Sequence, residues 1–68
     1  MCGWIATYEA NVKGEESPIT GVLEFEAVGI LGAFGELEDR LVPQELIKLK
    51  SQGYDVSSLS IKSCFKQL

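Results

Sequence analysis

A chain of 68 residues has room for one domain, and one this short buries only about 60% of the surface that its unfolded form exposes, so its stability is expected to be marginal. Its hydrophobic fraction of 46% is too high for a disordered segment. A formal charge of −4 with only six Lys and Arg residues argues against the concentrated basic surface that duplex nucleic acid requires.

The charge is unevenly spread. Glu9, Glu15, Glu16, Glu24, Glu26, Glu36, Glu38 and Asp39 lie in the first part of the chain, while Lys48, Lys50, Lys62 and Lys66 outnumber Glu45 and Asp55 in the rest. Such a dipole steers association with a partner or a second copy.

From Trp4 to Val12 the residues alternate, with Trp4, Ala6, Tyr8, Ala10 and Val12 on one side, as in a half-buried strand. "KGEESP" has the chemistry of a turn. In "GVLEFEAV", Leu23, Phe25 and Ala27 point one way and Glu24 and Glu26 the other, which predicts a second strand and an antiparallel hairpin with one wet face.

"GILGAFGELEDRLV" reads two ways. Leu31, Phe34, Leu37 or Glu38, and Leu41 recur at helical spacing, whereas Gly29, Gly32 and Gly35 each oppose a helix by about 1 kcal/mol. A short extra helix before Pro43 and a packed loop both fit. Pro43 suits the first turn of a new helix and biases Val42 away from helical dihedrals. "PQELIKLKSQG" then predicts a helix with Leu46, Ile47 and Leu49 inward and Gly53 as a left-handed cap. "YDVSSLSIKSCF" predicts a last strand, with Leu59, Ile61 and Phe65 on one side and Ser58, Ser60, Lys62 and Cys64 on the other.

The expected architecture is α+β: one domain over 1–68, with a small three-stranded antiparallel sheet in ββαβ order packed against one main helix. An all-antiparallel sheet places the third strand beside the first and carries Cys2 toward Cys64. The expected state of that pair is free thiols in a reducing cytoplasm, the compartment expected for a chain without a basic and apolar leader. The run "AVGILGAF" is too short to span a bilayer.

The opening residues Met1, Cys2 and Gly3 resemble the start of class II glutamine amidotransferases. The resemblance implies that Cys2, after loss of Met1, is a nucleophile using its own α-amino group as base. It covers three residues, and no later stretch supplies an oxyanion hole or a glutamine pocket. Cys2 is therefore read as a small, partly buried residue leading into a strand.

The chain has no His. That excludes conventional Cys-His or Ser-His catalysis, and two Cys cannot form a tetrahedral structural zinc site within one chain from Cys and His alone. "GILGAFG" matches neither G-x-G-x-x-G nor the Walker pattern, and the acids beyond it would repel phosphate. Glu36, Glu38 and Asp39 lack a calcium-loop spacing and suit a solvated helix start. No catalytic residue, metal or cofactor is expected.

What remains is contact chemistry. Ile30, Leu31 and Phe34 serve either as core or as an exposed binding patch. Glu24, Glu26, Glu36, Glu38 and Asp39 offer acidic surface for another protein, including a basic site that the chain would block as an inhibitor. The leading expectation is a non-enzymatic, accessory or regulatory interaction module that self-associates, with the second strand as its pairing edge. The alternative is a small-molecule binder or minimal enzyme using the Gly-rich loop and Cys2.

Overall fold

The computed structural model describes residues 2–67. Three antiparallel strands in ββαβ order carry one 22-residue helix: β1 (Cys2–Val12), β2 (Ile19–Ala27), α1 (residues 30–51) and β3 (Val56–Lys66). The sheet order is β2-β1-β3, so the first strand is central and is paired on both sides.

The alternation of β1 decides which face is covered. Trp4, Ala6, Tyr8, Ala10 and Val12 are all buried, and the register sets Trp4 opposite Phe25 and Ala6 opposite Leu23. A core of aromatic rings separated by alanines is closed from above by Ala33, Leu37 and Leu49 of α1. Trp4 is satisfied as well as buried, because its indole Nε1–H donates to the Ala27 carbonyl at 3.2 Å. The hairpin turns where the Glu15 amide donates to the Val12 carbonyl at 3.1 Å, with Gly14 at φ +90°.

The helix does not restart at Pro43. An α-helical stretch (Ile30–Glu36) runs into a π-helical turn (Leu37–Leu41) and on into a second α-helical stretch (Val42–Ser51), and Val42 has helical dihedrals of −63° and −47°. The π turn explains the continuity. Pro43 has no amide hydrogen and its ring crowds the preceding turn, so an α-helix would both lose a bond and clash there. Widening the turn by one residue, with the Val42 amide donating to the Leu37 carbonyl, accommodates the ring without ending the helix.

The insertion also changes which of the residues beyond it face the sheet, Ile47 and Leu49 among them. Ala33, Leu37 and Leu49 are buried, while Ile30, Leu31 and Phe34 are turned outward and Ile47, expected inside, is 69% exposed. At the carboxyl end, Gly53 (φ +95°) donates to the Lys50 carbonyl at 3.0 Å and Tyr54 to Leu49 at 3.1 Å. This is a Schellman cap on the expected glycine.

β3 needs a second correction. A bulge opposite Thr7 and Tyr8 inserts Lys62, so Ile61 pairs with Tyr8 but Ser63 with Thr7. Side chains beyond the bulge exchange faces. Cys64, opposite Ala6, joins Leu59 and Ile61 on the helix side, and Phe65, opposite Ile5, moves to the other face and is 59% exposed. Cys2 and Cys64 do not meet. The partner of Cys64 lies four residues along β1 from Cys2, about 13 Å at the rise of a strand, beyond the ~7 Å limit for a disulfide; both thiols are free.

Candidate interaction surface

α1 covers one face of the sheet and leaves the other bare. Across the bare face, Glu24 of β2, Ile5 of β1 and Phe65 of β3 form one row, and Val22, Thr7 and Ser63 form the next. Ser63 and Thr7 share a hydroxyl hydrogen bond of 2.5 Å. With Val22 at 58% and Phe65 at 59% exposed, an apolar centre lies open to solvent. Glu24 and Glu26 border it on the β2 side, and Lys62, 3.6 Å from Glu9, borders it on the β3 side.

The other acids expected at a binding site are elsewhere. Ile30, Leu31, Phe34, Glu36, Glu38 and Asp39 all belong to α1, on the opposite layer from Glu24 and Glu26. The structure therefore divides these eight residues between two surfaces. Glu36 is held by Arg40, whose Nε donates to its Oε2 at 2.7 Å, whereas Glu38 and Asp39 are exposed in the π turn. Gly32 and Gly35 lie within the helix, so "GILGAFG" forms no phosphate-cradling loop.

The border between α1 and β3 is more open. No residue of β3 is buried; Val56, Leu59, Ile61 and Cys64 face the helix but are only partly covered. Phe34, Ile61, Lys62 and Cys64 help to line an open groove of about 220 Å³, and Leu46, Lys50, Tyr54 and Val56 help to line another of about 490 Å³. Burial pushes the Cys64 thiol up from its ordinary pKa, which keeps it protonated and poorly nucleophilic. Sequence patterning does not mark Leu46, Tyr54, Leu59 or Ile61 as surface residues. Alternation places Leu59 and Ile61 on a covered face, but it does not say whether one helix is wide enough to cover a third strand.

The opposite flank is tight. The Tyr8 hydroxyl donates to Glu45 Oε2 at 2.8 Å and ties the central strand to the helix, while Lys48 lies 3.8 Å from the other carboxylate oxygen. Burial, followed by the Glu45 hydrogen bond and charge, pushes the Tyr8 pKa up to about 12. The neutral phenol is thus favoured in the folded state. Its contribution to stability is complete below the unfolded value near 10 and is lost as pH rises toward 12. Alkaline titration of the unfolding midpoint should show this decline between pH 10 and 12, and Tyr8→Phe should flatten it.

Comparison with protein-family models, curated proteins and solved structures finds no match to this chain. Among the described residues no group of His, Cys, Asp or Glu could hold a metal ion, and no helix is long and apolar enough to cross a membrane.

Proposed function

We propose that this chain is a non-enzymatic protein-protein interaction module, accessory or regulatory, that docks on a basic partner surface and also self-associates. The observation that supports it most is the bare sheet face: Ile5, Val22 and Phe65 form an apolar centre bordered by the carboxylates of Glu24 and Glu26. Apolar anchors desolvate at the middle of an interface, and flanking charge selects the partner and speeds encounter. A partner with a basic rim around an apolar patch fits this face, and an inhibitor that blocks a basic site would work in this way.

The test is capture of partners on immobilised protein, comparing the native chain with a Glu24→Lys/Glu26→Lys variant. Both side chains are exposed, so circular dichroism should be unchanged. Affinity should fall by at least about tenfold at low salt and by less at high salt. Equal affinity of the two proteins under both conditions would remove the acidic face from the mechanism.

A further inference from the structure

The two edges of the sheet are not alike. β3 is interrupted opposite Thr7 and Tyr8 and again opposite Asn11 and Val12, and it presents Lys62 at the first break. Bulges and lysines blunt an edge against pairing. β2 has neither device. Its register with β1 is unbroken from Ala10 opposite Ile19 to Cys2 opposite Ala27, and no Lys or Pro lies between Ile19 and Ala27.

The direction of its free backbone groups follows from β1. The Gln67 amide donates to the Gly3 carbonyl and the Lys13 amide to the Asp55 carbonyl, each at 2.8 Å, so the odd-numbered residues of β1 turn their backbone groups toward β3. The even-numbered ones turn toward β2. There they meet Gly21, Leu23 and Phe25, which leaves the amides and carbonyls of Thr20, Val22, Glu24 and Glu26 pointing out of the sheet. These same four residues are exposed. Among the described residues no turn or side-chain hydrogen bond reaches their backbone groups.

We infer that an extended segment of another protein adds to β2 as a fourth strand, with Lys or Arg at the two alternate positions opposite Glu24 and Glu26. This rests on the basic partner in the function proposed above and specifies how it binds. Main-chain hydrogen bonds supply the affinity of such an addition, and alternate side chains supply its specificity. Antiparallel pairing, the more stable per residue, lets each cationic residue exchange both backbone bonds with the glutamate that it faces, and opposite charges directly across strands attract. Read along the partner, the order is cation, any residue, cation, any residue, then an apolar residue facing Val22. A second copy of this chain does not supply that order. β1 and β2 contain no cation, and β3 sets Lys62 beside Glu9 on the bare face but Lys66 opposite Trp4 on the helix side.

The probe is a synthetic peptide with blocked ends, Lys-Thr-Lys-Thr-Val-Thr-Thr, titrated at low salt into the isotope-labelled chain and followed by nuclear magnetic resonance. Saturating peptide should slow hydrogen exchange of the Val22, Glu24 and Glu26 amides at least about tenfold, because new hydrogen bonds protect them. Methylating the backbone nitrogens of the two lysines should weaken binding at least about tenfold. Methylating those of the threonines on either side of the second lysine, which face away from β2, should change it little. The Glu24→Lys/Glu26→Lys variant should lose binding as far as the lysine-methylated peptide does. Equal binding of the two methylated peptides, with shifts at Ile5 and Phe65 rather than along β2, would overturn strand addition and leave the basic partner on the bare face. No binding at millimolar peptide would also overturn it, while capture of partners would still test the acidic face. Protection along β2 that survives Glu24→Lys/Glu26→Lys would overturn the pairing of charges in both readings.

Discussion

Replacing Leu37 with alanine should cost about 3–4 kcal/mol, a large part of the roughly 3–10 kcal/mol available to a domain of this length. Leu37 has no exposed surface and is the largest side chain so fully enclosed. It also begins the π turn, and its carbonyl accepts the Val42 amide. A cavity there cannot easily collapse, because the turn above it is already widened to accommodate Pro43. Urea unfolding followed by Trp4 fluorescence should show the midpoint falling steeply or the variant unfolded without denaturant. Leu37→Met, which nearly conserves volume, should lose less than about 1.5 kcal/mol. If Leu37→Ala unfolded at the native midpoint, the helix would not be seated as described.

The second large effect is expected at Gly21. A Cβ placed there would overlap Cζ of Tyr8, whose ring passes over the glycine. Gly21→Ala must therefore displace a buried aromatic ring and weaken its 2.8 Å hydrogen bond to Glu45. Overpacking together with the lost bond should cost about 2–4 kcal/mol. A double-mutant cycle separates this from ordinary glycine effects: in a Tyr8→Ala background the same substitution should become nearly neutral or stabilising, because alanine pairs better in a strand than glycine. Additive costs would mean that the ring is not the obstacle.

The two strands of the hairpin are legible in the sequence because each keeps a period of two, broken only by Ile5 in the first. Trp4 to Val12 alternates between buried and partly exposed positions and Leu23 to Ala27 between buried and exposed ones, which puts Glu24 and Glu26 on the bare face. Gly53 is legible because a left-handed cap has a single preferred residue. The remaining features depend on one-residue insertions. The π turn at Leu37–Leu41 and the bulge at Lys62 each shift the phase of the residues beyond them, so periodicity alone puts Ile47 and Phe65 on the wrong side. No short pattern marks such an insertion in advance. Pro43 signals a disturbance, but a proline can be accommodated by ending a helix or by widening it, and choosing between these depends on packing beneath Leu37.

The position of β1 at the centre of the sheet has a consequence for assembly. It gains its first neighbour, β2, across a short turn, but its second, β3, only after more than forty residues have intervened. Closing that long loop is entropically costly and is compensated only when the last strand zips into place. Until then the middle strand has an unsatisfied flank of its own, and the greatest hazard of mispairing falls in the interval before the carboxyl-terminal strand arrives.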